Sequence, residues 1–146
     1  MFVNILIVLI VFLIMEGVAF YTHKYVMHGF LWYLHKSHHR PREGMFEKND
    51  WFVFLFAIPS ILCIYSGYHN DTVLLWVGVG IACYCPAYFI FHDIIVHRRI
   101  KIKYKFSSQY MKRMIRAHQL HHSTSEKDDA LSFGFLYVPK GLKLGI

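Results

Sequence analysis

Cysteine is scarce, with three in 146 residues: Cys63, Cys83 and Cys85. All three fall inside apolar runs, which argues against a disulfide framework, and no second cysteine pair exists to complete a zinc site with Cys83 and Cys85. They read as small, soft packing residues. Charge is sparse as well, at 17% of residues against 55% hydrophobic, a balance that excludes a disordered chain or a solvating acidic tail. No HExxH is present, which removes a zinc-protease site together with its general base, and no GxGxxG marks a flavin or nicotinamide domain.

The sparse charge is unevenly spread. Residues 51–68 and 72–91 carry none, and residues 2–15 are almost wholly aliphatic, with the apolar run continuing past Glu16 to Tyr21. At a rise of about 1.5 Å per residue, roughly 20 residues cross the ~30 Å hydrocarbon core, so each run predicts a transmembrane helix. A signal peptide is the competing reading of the N-terminus. No Lys or Arg precedes the apolar stretch and no clear small-residue cleavage site follows, so a retained helix is expected. The predicted fold is all-α: one membrane-embedded domain over 1–146, a helical bundle with spans at 2–21, 51–68 and 72–91. The polar segments 22–50 and 92–146 carry cytoplasmic or interfacial helices.

Only His69, Asn70 and Asp71 separate the second and third spans, which predicts a tight antiparallel hairpin with Asn70 or Asp71 capping the following helix. Asn49 and Asp50 are expected to play the same part before Trp51. Pro59 and Pro86 fall inside spans, where a bilayer tolerates kinks, and Pro86 is placed to reorient the segment carrying His92. Lys24, Lys36, Arg40, Arg42 and Lys48 lie between the first two spans, and the other eleven of the 16 Lys plus Arg follow the third. The positive-inside rule then puts that side in the cytoplasm, with the N-terminus and the 69–71 turn outside. The net charge of +7 therefore needs no nucleic-acid partner.

Against these absences stands an excess of histidine, 11 residues. Ten fall in four boxes: His23 and His28 in HKYVMH, His35, His38 and His39 in HKSHH, His92 and His97 in HDIIVH, and His118, His121 and His122 in HQLHH. The spacings repeat as HxxxxH, HxxHH, HxxxxH, HxxHH. Topology brings all ten to one membrane face and leaves His69 on the other. On a helix, residues i, i+3 and i+4 share a face, a common way to offer several imidazoles to a metal. Winding the chain from Phe106 puts Phe106, Tyr110, Met111, Met114, Ile115, Ala117 and the last three histidines on one half. Lys105, Gln109, Lys112, Arg113 and Arg116 fall on the other, which predicts an amphipathic surface helix. The HxxxxH pairs fit less well, because i and i+5 lie about 140° apart on an ideal helix. Either the helix is locally distorted or the two histidines serve different metals.

Glu16 sits seven residues before His23, within about 20° of it on the helix. An acid inside a span is costly, and two readings stay open for it: a partner that orients a ligand histidine, or a structural, hydrogen-bonded glutamic acid. Asp93, inside HDIIVH, poses the same choice between orienting a histidine and a surface or capping role. Neutral imidazole suits iron, copper, zinc and nickel, and ten ligands exceed what one ion uses, so two metals with about five histidines each are expected. Boxes without cysteine exclude the deaminase type of zinc site, and their clustering at one end of the bundle argues against bis-histidine haem.

The boxes, with their order and position relative to the spans, resemble the integral-membrane fatty acid hydroxylase and sterol desaturase superfamily. The runs HKYVMHGFLWYLHKSHHRPREGMFEKND, HDIIVHRR, AHQLHH and the late SFGFL resemble its bacterial β-carotene 3-hydroxylase branch over nearly the whole chain. The resemblance implies a non-haem di-iron monooxygenase, with O2 as co-substrate, that hydroxylates carbon 3 of β-ionone rings and converts β-carotene through β-cryptoxanthin to zeaxanthin. An unactivated C–H bond gives side chains no acid, base or leaving group to exploit, which fits a redox metal. With no nucleotide domain in the chain, electrons are expected from an external ferredoxin or reductase-type donor. The basic stretch from Arg98 to Arg116 is read first as a contact for anionic lipid and second as a site for an acidic ferredoxin. Alternatives within the superfamily are a hydroxylase, desaturase or ketolase of another membrane lipid, such as a fatty acyl chain, sterol or other carotenoid. An alternative outside it is a non-catalytic membrane metal-binding protein. A bacterial cytoplasmic membrane is the expected location.

Overall fold

The structure, a computed structural model, describes residues 1–41, 44–104, 106–128, 130–138 and 141. Arg42, Lys105, Lys140 and Lys143, counted in the charge distribution above, lie outside the described residues. Among those described, every regular element is helical. Helix α1 (Phe2–Tyr21) continues directly into π-helical turns at Thr22–Phe30. A short α2 (Trp32–His35) tightens into a 3₁₀ turn at Lys36–His39, and a second 3₁₀ segment at Lys48–Phe52 leads into α3 (Val53–His69). Helix α4 (Leu74–Tyr88) passes into a second π-helical segment at Phe89–Val96, and α5 (Gln109–His121) closes the fold.

Three continuous helices are long and apolar enough to cross a membrane: Phe2–Phe30, Lys48–His69 and Leu74–Val96. The first and third run past the expected ends at residues 21 and 91. Hydropathy marks where apolar side chains stop, whereas the backbone ladder continues for as long as each N–H finds a carbonyl. Here it does so by widening to i→i+5, seen in Leu31 N–H to Val26 O at 3.0 Å and His97 N–H to His92 O at 3.0 Å. Pro86, which lacks an N–H, precedes the second widening by three residues.

Helix α4 is the centre of the bundle, and its glycines explain why. Gly78 and Gly80, two residues apart, fall on nearly opposite faces. A Cβ on Gly78 would lie 2.7 Å from the Ile64 backbone nitrogen of α3, and one on Gly80 would lie 2.7 Å from Val11 Cβ of α1. Close approach through small residues is how helices pack where lipid removes the hydrophobic drive. Ser60 adds a buried bond, its hydroxyl donating to Gly78 O at 2.9 Å. The register of these contacts sets α1 parallel and α3 antiparallel to α4. Helices α1 and α3 flank α4 without packing on each other. The outward faces of α1 and α3 are rows of exposed apolar side chains, as lipid contact requires.

The turn residues differ from expectation. The N-cap of α4 is Val73, with no side-chain cap bond, because Asn70 turns back to donate to Ser66 O at 2.9 Å and Asp71 takes a left-handed φ of 49°. Before α3 the cap is Glu47, which forms a reciprocal box with Asp50 and leaves Asn49 buried and free for another partner. Helix α5 is amphipathic as expected, burying Met114, Ala117, His118 and His121 while Lys112, Arg116 and Gln119 face out. It starts later than the winding from Phe106 assumed, since Ser108 caps it in an extended conformation. Tyr110 is exposed, its hydroxyl donating to Leu136 O.

Replacing Gly80 by Leu should therefore separate α1 from α4 and lower the thermal midpoint of detergent-solubilised protein, at an overpacking cost of about 1–3 kcal/mol. Gly17→Ala, where a Cβ meets nothing within 4 Å, should leave the midpoint unchanged or raise it. Circular dichroism melts of the two variants make the comparison.

Candidate metal centre

All ten box histidines converge at the end of the bundle where α1 and α4 finish and α2 and α5 cover them. His23, His28, His35, His38, His39, His92, His118 and His121 are buried, and His97 and His122 partly so. Their ring nitrogens form two main groups, each with candidate ligand atoms within 4.8 Å of one another. One group is His38, His92, His97, His118 and His122, the other His23, His28, His35 and His121. His39 stands between, grouped with His121 and His122, and its Nε2 lies 3.3 Å from that of His35. His69 sits at the far end of α3, exposed against Tyr65 and Tyr68.

The HxxxxH spacing is resolved by the π-helical register. In an i→i+5 ladder residues five apart stack over one another, where an α-helix would splay them. His23 and His28 accordingly fall in one group and His92 and His97 in the other. The HxxHH boxes do the reverse. In α5, at about 100° per residue, i+4 lies 40° to one side of i and i+3 lies 60° to the other, and in the 3₁₀ turn at Lys36–His39, at about 120° per residue, the adjacent His38 and His39 diverge, so each box reaches two places. His35 and His39 stay with His23 and His28 while His38 crosses to His92. In the same way His118 and His122 stay with His92 and His97 while His121 crosses to His28. Each half of the chain completes the other's cluster.

The outer nitrogens decide the protonation state. His23 Nδ1 donates to Phe133 O (3.1 Å), His28 Nδ1 to Lys127 O (2.9 Å) and His39 Nδ1 to Thr124 O (3.0 Å). Asn49 Oδ1 accepts from His35 Nδ1 at 2.6 Å, Glu47 Oε2 from His38 at 2.8 Å, and Asp93 Oδ2 from His92 at 3.2 Å. Carbonyls and carboxylates only accept, so the proton of each neutral ring sits on Nδ1 and Nε2 carries a bare lone pair. Burial keeps the rings neutral. It holds His35 down at about 3 against the opposing bond to Asn49, and His39 at about 4 against its bond to the Thr124 carbonyl. His122 lies at about 2 through burial and the fields of His97 and His39. His38, His118 and His121 are lowered well below the usual imidazole range, by burial first and neighbouring histidines second.

Bare lone pairs then face one another: His23 and His35 Nε2 at 3.2 Å, and His38 and His92 Nε2 at 3.1 Å. Such pairs have no proton to share and repel unless a cation lies between them. With metal–nitrogen bonds of about 2.0–2.1 Å, ligands at right angles stand about 3 Å apart, the spacing found here. The residues fit a metal, and an all-imidazole donor set suits a first-row transition ion.

Glu16 and Asp93 part company. Asp93 bonds His92 directly, whereas the hydrogen bonds of Glu16 go elsewhere. Its Oε1 accepts the backbone N–H groups of Phe135 (2.9 Å) and Leu136 (2.8 Å), and its Oε2 accepts the Tyr84 hydroxyl at 2.9 Å. Glu16 thus moors the SFGFL segment. A Cβ on Gly134 would stand 3.2 Å from Glu16 Oε1 and 2.5 Å from Tyr137 O, so the close approach requires glycine. Phe135, 1% exposed, stacks on His23 at 5.2 Å. Sequence reasoning missed Glu47 as a histidine partner and took Asn49 for a cap. A polar residue near a box was the available signal for both. The carbonyls of Thr124, Lys127 and Phe133 leave no residue-type signature at all.

Beside the histidines lies a cavity of about 250 Å³ between the ends of α1, α3 and α4, walled by aromatic side chains including Phe56, Tyr84 and Tyr88. Its inner wall includes Asn49, Asp93 and Phe135, the residues in contact with His35, His92 and His23.

Residues 8–138 match the family model described as fatty acid hydroxylase. The chain is 45% identical over 141 residues to a β-carotene hydroxylase of Pantoea ananas, covering 97% of this chain and 81% of that protein. It is 43% identical over 140 residues to a β-carotene hydroxylase of Pseudescherichia vulneris, covering 96% and 80%. It also shares 38% identity over 133 residues with the chloroplastic β-carotene hydroxylase 1 of Capsicum annuum, covering 88% of this chain and 42% of that longer protein. No solved structure matches the chain.

The buried neutral histidines make stability depend on pH with a definite sign. Their folded pKa values lie below the unfolded value of about 6.5, so the unfolded chain binds more protons between the two. Stability of metal-free protein should be full above pH 6.5 and fall as the pH drops toward the values of about 4 for His39 and about 3 for His35. Metal-loaded protein should release its ions over the same descent. Denaturant midpoints measured from pH 8 to pH 4 check the sign, and a flat profile would contradict it.

Proposed function

The chain belongs to the fatty acid hydroxylase family, and from that membership we propose that it is a membrane-embedded carotenoid hydroxylase. It adds a hydroxyl at carbon 3 of β-ionone rings and takes β-carotene through β-cryptoxanthin to zeaxanthin. The observation that carries this reading is the convergence of two histidine clusters, with lone pairs facing one another, beside a largely apolar cavity whose wall residues Asn49, Asp93 and Phe135 touch His35, His92 and His23. The names of the bacterial relatives, matched over most of both chains, support the substrate.

Two non-haem irons would supply the oxidising chemistry that a C–H bond without an acidic proton or leaving group demands. His38, His92, His97, His118 and His122 would hold one, and His23, His28, His35, His39 and His121 the other. O2 gives one oxygen atom to the product and one to water, with two electrons from an external donor and two protons. The chain's own residues arrange the rest. Glu47, Asn49 and Asp93 hold Nδ1 protons and so aim Nε2 lone pairs at the ions. The side of the bundle where α1 and α3 stand apart admits an apolar substrate from the lipid, and the cavity aromatics hold its ring. Glu16 and Tyr84 moor the SFGFL segment, whose Phe135 screens His23 from water. The interlocking of boxes from His23 to His122 supports reading residues 1–146 as a single membrane-embedded hydroxylase domain. The basic charge at the histidine end supports an orientation with that end at the cytoplasmic face of a bacterial membrane and the N-terminus outside.

Expression in a β-carotene-accumulating host should yield zeaxanthin and β-cryptoxanthin, read by chromatography of extracted pigments. His38→Ala or His121→Ala should reduce hydroxylated product at least 100-fold, and His69→Ala should leave it unchanged. Metal analysis should find two irons per active chain. Stable, iron-loaded protein that leaves β-carotene untouched would reject the substrate assignment.

A further inference from the structure

Arg99 follows the third histidine box and counts, by sequence, as part of the basic surface. The fold turns it inward. Arg98 takes a φ of 51°, a left-handed conformation that side chains other than glycine rarely adopt, and the reversed chain bonds Arg99 N–H to Asp93 O at 2.9 Å. The guanidinium then spans two carboxylates, donating from Nε to Asp93 Oδ1 at 2.7 Å and from an Nη to Asp50 Oδ1.

Each carboxylate leads to a histidine of the same cluster. Asp93 accepts from His92 Nδ1 through its other oxygen. Asp50 accepts the backbone N–H of Glu47 at 3.0 Å, and the Glu47 carboxylate accepts from His38 Nδ1 at 2.8 Å. His38 and His92 face each other through Nε2 at 3.1 Å, closing the loop. We propose that Arg99 is the positioning residue of the cluster formed by His38, His92, His97, His118 and His122, fixing two of its rings from opposite sides through Asp50 and Asp93.

The chemistry requires a fork. Two carboxylates turned toward one point repel, and Asp93 freed from its cation would swing off His92 Nδ1. One planar guanidinium satisfies both at once, whereas the single ammonium of lysine has no matching geometry. The other cluster uses backbone carbonyls and Asn49 in this role, so its rings stand without Arg99. Arg99 is therefore expected to matter to one metal and not to the other.

The proposal rests on the reading of the clusters as two metal sites, and cobalt(II) titration of the purified full chain in detergent tests both. Metal per chain and visible ligand-field absorption are the readouts. Wild type should fill two sites. Arg99→Gln should weaken one site 10–100-fold, the range for loss of groups that orient ligands, and leave the second site and the helix content intact. Arg99→Lys should recover part of the loss. Asp50→Asn should weaken the same site, and combining it with Arg99→Gln should add little, because both changes break one linkage. Two tight sites in Arg99→Gln, or equal weakening of both, would overturn the role of Arg99. If Arg99→Gln does not fold, Asp50→Asn carries the decision: unchanged affinity in that variant overturns the proposal. Wild type that binds no cobalt would overturn the metal reading itself, and this proposal with it.

Discussion

Neutral imidazoles with their lone pairs turned toward one another are the constraint on which this structure depends. Each ring has one proton to place. Where an acceptor outside the cluster claims it at Nδ1, Nε2 is left bare and aimed inward. That arrangement is unstable by itself, since buried lone pairs about 3 Å apart repel, and it becomes stable when cations occupy the space. Much of the polar half of the molecule serves to keep Nδ1 protons where they are. The backbone of 124–133 supplies carbonyls, the 3₁₀ turn before α3 supplies Glu47 and Asn49, and the π-helical end of α4 supplies Asp93.

The same constraint accounts for the departures from ideal helix geometry. An α-helical HxxxxH would send its two rings to different places, and the switch to an i→i+5 ladder brings them to one. An α-helical HxxHH divides its rings between two directions, and there the ordinary pitch is kept for α5. The alternation of these spacings along the chain thus builds two clusters from two similar halves, with one histidine of each half exchanged. Exchange ties α2 to the end of α4 and α5 to the end of α1. The histidine end of the bundle is thus tied together from both halves of the chain.

The apolar half follows a separate logic. Gly78 and Gly80 place α4 between its neighbours, which do not pack on each other, and the cavity beside the histidines lies between the ends of all three helices. Glu16 connects the two halves. It is an acid inside a span whose bonds are to Tyr84 of α4 and to the backbone at Phe135 and Leu136. Its burial is compensated by three donors, and it fastens the final segment over the histidine end.

Local chemistry made the three spans, their hairpin and the ten clustered histidines readable from residue order, because hydropathy and spacing are properties of neighbours in the chain. Helix α5 was readable for the same reason, except for its start at Ser108. The grouping of the histidines was not, since it depends on π-helical register and on which ring faces which across the bundle. Glu16 was legible as a residue with a purpose, and its partners 119 and 120 positions away were not. Arg99 read as surface charge until a left-handed turn at Arg98 brought it against Asp50 and Asp93. Residue order determined which chemistry the chain carries and at which end of the bundle it gathers. Tertiary structure alone decided which nitrogen points where, because an imidazole is oriented by the acceptor on its far side, and for His23, His28 and His39 that acceptor is a backbone carbonyl 110, 99 and 85 positions away.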